Sequence, residues 1–300
     1  MNSKGLEILD LKNAMLVSTF FFLWLAVYFS DRVEETLGFL LIFSFGILHG
    51  SNDLELLKRK ASFGRGSRSH MGLLLAYIGF VLAMALLFSW IPLATLALFV
   101  LISAYHFGEQ HWVRRIGING FLQKGIYLSY GLLVLSLLFQ AHPQEVVEII
   151  RQISGREIPA GYFGWSSLFF LLVFLASALW NFYWTQAYRY LLYEVFLLGV
   201  FFVVFHTASL LWAFAIYFVV WHSIPSLADQ IRILYGQFSL HNGKKYLKAS
   251  LVYWLGALAT LGLAFLYFSN GDYGLLPLFF SFLAAITFPH VLVIARLYKG

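Results

Sequence analysis

The sequence predicts an all-α protein, a polytopic transmembrane helix bundle of about ten spans forming one integral membrane domain over residues 1–300. Of the residues, 61% are hydrophobic and 11% charged, about half the charged share expected of a soluble domain. Mean hydropathy is +0.79. The apolar residues come in runs of about 20, the length a helix needs to cross hydrocarbon. Lys and Arg fall in alternate connections, as the positive-inside rule requires of a multi-pass chain.

The spans read in order as 14–30, 36–56, 70–90, 92–112, 121–140, 164–184, 187–207, 209–228, 248–268 and 276–297. The N-terminal MNSKGLEILDLKNAM lacks the short apolar core and small-residue cleavage site of a signal peptide, so the first span is expected to be retained. Very short joins occur at Trp90-Ile91-Pro92 and near Ala208, and the second of these makes the boundary between the seventh and eighth spans the hardest to place.

Charge tests this count. With both termini cytoplasmic, the inner segments hold Lys4 and Lys12, then Lys58, Arg59, Lys60, Arg65 and Arg68, then Arg114, Arg115 and Lys124. Arg189 follows, then Arg232, Lys244, Lys245 and Lys248, and finally Arg296 and Lys299. Of the 20 Lys and Arg, only Arg32, Arg151 and Arg156 fall outside. The expected location is the inner (cytoplasmic) membrane, with the net charge of +6 facing anionic lipid. The longest outer connection, Ala141 to Gly164, alternates Val146, Val147, Ile149, Ile150 and Ile153 with Glu145, Glu148, Arg151 and Gln152. That spacing suits a short amphipathic helix on the membrane surface, and a plain capping loop is the alternative.

There are no cysteines, which excludes disulfides, thiolate metal sites and Cys nucleophiles. Nothing resembles a nucleic-acid module. The nine histidines therefore carry the chemistry worth sorting. Four of them, His49, His106, His222 and His290, lie about 13 or 14 residues into spans that all run from outside to inside, about 20 Å below the outer helix ends. Imidazole is the commonest ligand for transition metals, and bundle cores build metal sites from inward-facing side chains on neighbouring helices. One depth on four helices predicts a shared metal site. His70, His142 and His241 fall in loops or at span ends, and His206 ends a span near the outer face. His111, five after His106, points away from it on a helix.

Asp53, four after His49, and Glu109, three after His106, are placed to accept the other ring N–H of a ligating histidine. Pairing with Lys58 or Arg114 at the inner interface is the alternative. Asp229 is read as capping its span. A cysteine-free histidine set suits Fe(II), with Zn(II) and Cu(II) as alternatives. Iron with an open coordination position implies oxygen chemistry, and embedding the site in lipid implies an apolar substrate. Tyr105, Phe107 and Trp221 are candidate walls for that substrate among the 32 Phe, 17 Tyr and 9 Trp.

The segments GILHGSNDLEL (Gly46 to Leu56), SAYHFGEQHW (Ser103 to Trp112), WHSIPSLADQ (Trp221 to Gln230) and TFPHVLV (Thr287 to Val293) resemble the Brp/Blh family. These are bacterial and archaeal membrane β-carotene 15,15′-dioxygenases that supply retinal to rhodopsins. The resemblance implies cleavage of β-carotene by O₂ into two retinals at iron, Fe(2+), with His49, His106 and His222 at metal-binding positions and a functional link to a microbial rhodopsin. Family members carry a further histidine one turn after the third; this chain has Ser226 there. The depth argument offers His290 for the fourth position independently of the resemblance. Two other readings stand beside this one: a carotenoid-binding or transport helper without cleavage, to which Pro225 and Pro289 lend broken helices, and a membrane di-iron hydroxylase. The latter needs histidines in close clusters, and no two here are four apart.

Overall fold

The computed structural model describes residues 3–62, 70–112, 121–185, 191–268 and 274–298. Of the inner basic residues, Arg65, Arg68, Arg114, Arg115, Arg189 and Lys299 lie outside the described residues. Among the described residues every regular element is helical. In order they are α1 (Ser3–Tyr28), α2 (Asp31–Leu41), a π-helical stretch π1 (Ile42–Gly46), α3 (Asp53–Ser62), α4 (His70–Trp90), α5 (Pro92–Trp112) and α6 (Phe121–Ala141). Then come α7 (Pro143–Ser154), α8 (Gly161–Thr185), α9 (Leu191–Thr207), α10 (Leu210–Ala215), a second π-helical stretch π2 (Ile216–Ser223), α11 (Ile224–Tyr235), α12 (Leu240–Phe268) and α13 (Leu275–Tyr298).

Among the described residues, eight segments are long and apolar enough to cross a membrane, α10, π2 and α11 counting together as one. That is compatible with a multi-pass membrane protein. The two remaining expected spans differ. The seventh is a shorter apolar helix, Leu192–Thr207. The second is broken: the chain turns through His49–Asn52 before α3 begins. Gly50-Ser51-Asn52 are poor helix formers, and the Gly50 and Asn52 carbonyls restart the ladder by accepting from Asp53 and from Glu55 and Leu56. α12 begins at Leu240 rather than 248 because Ser239 Oγ accepts from the Asn242 N–H at 3.2 Å, an N-cap that extends the helix through polar residues a hydropathy window passes over.

Local signals set the other ends. Pro92 and Pro143 open α5 and α7 at positions where the missing N–H costs nothing. Gly155 and Gly236 close α7 and α11 at φ 67° and 88°, a conformation L side chains rarely adopt. The connection from Ala141 to Gly164 thus holds the short helix α7 expected from its periodicity, with Val146 buried.

α6 lies centrally between α5 and α8. A methyl added at Gly108 would overlap the Tyr127 carbonyl, and one at Gly131 would overlap that of Ala104, so these two glycines set how closely α5 and α6 approach. The segment α10–π2–α11 is the most deeply buried of the spans, whereas none of the apolar window of α4 and little of α12 is buried. Several buried polar groups are paired across helices. Glu34 accepts from the Ser209 N–H at 2.6 Å, and the Trp212 and Trp254 indoles donate to the Phe22 and Phe43 carbonyls at 3.1 and 2.7 Å.

Candidate metal centre

His49 and His222 owe their positions to the two π-helical stretches. Pro225 has no N–H to return to the preceding turn; ahead of it the ladder widens into π2, and Ser223 Oγ takes up the Phe218 carbonyl at 2.9 Å. π1 ends on Gly46, where a side-chain carbon would stand 2.8 Å from the Phe218 ring. The two wide turns therefore pack face to face, and wide turns of this kind recur at functional sites. His106 sits in the α5 interior, close to Gly108 and so fixed by the α5–α6 crossing. His290 follows Pro289 inside α13.

The structure brings the four imidazoles together. Ring centroids lie 4.8 Å apart for His49 and His290 and 5.2 Å for His49 and His222. They are 4.8 Å apart for His106 and His222 and 5.5 Å for His106 and His290. All four are 2–4% exposed. His49, His222 and His290 each offer a ligand atom within 4.8 Å of the others; His106 borders this trio without joining it.

Their hydrogen bonding is unusual for buried polar groups, which are nearly always satisfied. His49 Nδ1, His106 Nε2, His222 Nδ1 and His290 Nε2 are buried with no hydrogen-bond partner. Orphaned nitrogens on four clustered imidazoles, three of which offer ligand atoms within 4.8 Å of one another, fit a metal ion.

The surroundings hold the rings in place. His290 Nδ1–H donates to Asp53 Oδ1 at 2.9 Å, and the Tyr77 hydroxyl donates to Asp53 Oδ2, also at 2.9 Å. Asp53 therefore supports His290 rather than the neighbouring His49, because the break at His49–Asn52 takes it off the helix face that a continuous span would share. Gln110 Nε2 donates to the His222 carbonyl at 3.1 Å. The Tyr246 hydroxyl donates to Gln230 Oε1 at 2.8 Å and reaches the His49 carbonyl at 3.2 Å. Gln230 in turn donates to Ser226 Oγ at 3.2 Å, so the residue standing where relatives are expected to carry histidine belongs to a network behind His49.

The histidines border one apolar cavity of about 940 Å³, lined by α4, α5, α6, α7, α8, α12 and α13 as well as by π1 and π2. Phe107 is in its wall, its ring 4.6 Å from that of His222. Trp221 and Tyr105 are not. The Trp221 indole donates to Thr19 Oγ1 at 2.9 Å on the α1 side, and the Tyr105 hydroxyl donates to Glu109 Oε1 at 3.4 Å. That bond runs along α5 itself, so Glu109 pairs with Tyr105 on its own helix. Asp229 pairs with Arg232 at 3.2 Å.

The remaining histidines lie away from this cluster. His111 Nε2–H donates to Glu194 Oε2 at 2.7 Å, and its ring stacks on Tyr130. His142 lies 3.4 Å from Glu145, His206 Nδ1–H donates to the Phe202 carbonyl, and His241 is exposed. The His70 side chain lies outside the described residues. Sequence reasoning missed Tyr77, Gln110 and Tyr246; a lone tyrosine in the otherwise apolar run from Leu73 to Phe88 was the available signal for Tyr77.

A family model described as beta-carotene 15,15'-dioxygenase matches residues 40–298. The chain belongs to this family. The match takes in all four histidines, both π-helical stretches and Asp53. No curated protein and no solved structure matches the chain.

Proposed function

We propose that the chain is an iron-dependent β-carotene 15,15′-dioxygenase of the inner membrane, with ten spans and both termini cytoplasmic. The observation that carries this reading is the convergence of four buried, hydrogen-bond-deficient imidazoles at an apolar cavity in a member of a dioxygenase family. His49, His222 and His290 would hold Fe(II), with His106 completing the set. Iron bound there supplies activation of O₂. In the overall reaction the central C15=C15′ double bond breaks and each new aldehyde carbon takes one oxygen atom, so β-carotene and O₂ become two retinals with no added reductant.

The chain's own part is positional. Asp53 accepts the Nδ1 proton of His290, fixing the tautomer that leaves the Nε2 lone pair free. Gln110 and Tyr246 fix the backbone at His222 and His49. Phe107 and the apolar walls exclude water and hold an extended hydrocarbon against the histidines.

Expression in β-carotene-accumulating cells with iron supplied tests the reading. Loss of orange colour, retinal in the extract and one iron per chain are expected. Folded protein that retains iron and leaves β-carotene intact overturns it in favour of a binding helper, and two irons per chain favour the di-iron reading.

A further inference from the structure

The cavity does not close inside the bundle. Along α6 and parts of α7 and α8 its lining is shielded, as at Leu138, Val146 and Phe163, while Leu101 on α5 and Tyr162 on α8 line it 45% and 61% exposed. Its other side is bordered by the two least buried long helices, α4 and α12. On α4, Ile78 and Leu82 line the cavity while 44% and 58% exposed; on α12, Val252 lines it at 75% exposed, with Gly256 and Thr260 beyond. A side chain built at Gly256 would meet nothing within 4 Å. The same space is thus continuous from the exposed face to the histidines.

We propose that the side bordered by α4 and α12 is a lateral port, through which a long apolar polyene passes from the bilayer to the histidines. The occupant is argued from this continuity and from the port's chemistry. Ile78, Leu82 and Val252 offer no charge, and the hydroxyl of Thr260 is spent on the Gly256 carbonyl at 2.8 Å. Length follows from the register of α12. Tyr246 lies level with His49, and Gly256 is ten residues further on, about 15 Å along the helix. A molecule admitted at Gly256 must be slender and long to reach the imidazoles. α12 can border such an opening because its inner half is tied down through Tyr246 and Trp254 while its outer half carries few buried residues. The choice of a polyene rests on the function proposed above; the port itself rests on the cavity.

The test uses the whole chain, stripped of metal so that nothing is cleaved, in lipid nanodiscs. β-Carotene is supplied from donor vesicles, and its induced visible circular dichroism reports arrival in a chiral site. Gly256→Phe is expected to slow the onset at least about tenfold, and Val252→Trp is expected to slow it too. Gly262→Phe is the control: it lies on the same helix, also faces empty space and does not line the cavity, so it should load like the wild type. Equal rates in wild type, Gly256→Phe and Val252→Trp overturn the port, as does absence of any induced signal in the wild type. Slowed loading in a protein that makes no retinal once iron is restored leaves the port standing and overturns the cleavage reading instead.

Discussion

His290 Nδ1–H donates to Asp53 Oδ1 at 2.9 Å, joining residues 237 positions apart. The pair decides which nitrogen of His290 faces the other histidines, and its removal is the most direct probe of the centre. Asp53→Asn keeps the shape but loses the charge. Its affinity for Fe(II) or Co(II), measured by titration of the apoprotein, is expected to fall about 10- to 100-fold, as for other histidine-supporting carboxylates. Tyr77→Phe acts one bond further out and should weaken binding less. Unchanged affinity in Asp53→Asn would place the metal elsewhere.

The α5–α6 crossing makes a second expectation. Gly108→Ala and Gly131→Ala force a methyl into a facing carbonyl, and each should destabilise by about 3 kcal/mol, the upper end of ordinary overpacking. Gly125→Ala, on α6 with open space around it, should be neutral or stabilising by about 0.5–1 kcal/mol because alanine favours the helix. Thermal unfolding in lipid distinguishes the three.

Behind His49, Tyr246→Phe removes one hydroxyl that serves both Gln230 and a backbone carbonyl. Leaving buried acceptors unpaired should cost about 1–3 kcal/mol. If the variant melts with the wild type, the network around Ser226 is not holding the turn at His49–Asn52.

α7 forms part of the cavity wall, and besides its apolar packing it is tied to the start of α13 by a hydrogen bond. Gln152 Oε1 accepts from the Gly274 N–H at 2.9 Å, and its amide donates to Glu148 Oε1 at 2.6 Å. Hydrogen bonds from Arg151 and Gln152 pull the Glu148 carboxyl down to about 2, so whatever the ionised form contributes is complete above the ordinary carboxylate range and is lost as pH falls towards about 2. Gln152→Leu at neutral pH should speed exchange of the Gly274 amide about tenfold, the equivalent of one hydrogen bond. An unaltered exchange rate would show that α7 is anchored by its apolar face alone.

Much of this architecture was legible because lipid imposes length and apolarity. α4 and α5 start and stop where the hydropathy does, and counting residues along those runs brings four histidines to one level. The failures share a cause. Counting assumes an unbroken helix, so the turn at His49–Asn52 sends Asp53 to a different imidazole from the one its spacing suggests. Periodicity on apolar helices carries no phase either: Ile216 to Trp221 are apolar or aromatic all round, so nothing in the sequence tells that Trp221 faces Thr19 rather than the cavity. Helical starts made of polar residues, as at Leu240, leave no trace in hydropathy.

The wide turns of π1 and π2 also have a genetic meaning. A π-turn inside an α-helix is the mark of one residue too many, held in place by its surroundings. Deleting a single residue between Ile216 and Trp221 would let the stretch relax to ordinary α geometry with α11 still in phase with α10, whereas the same deletion in α5 ahead of His106 would turn that imidazole by about 100°. Substitutions can tune this centre, but a one-codon deletion ahead of His106 would swing an imidazole out of the cluster while leaving every side chain's chemistry intact.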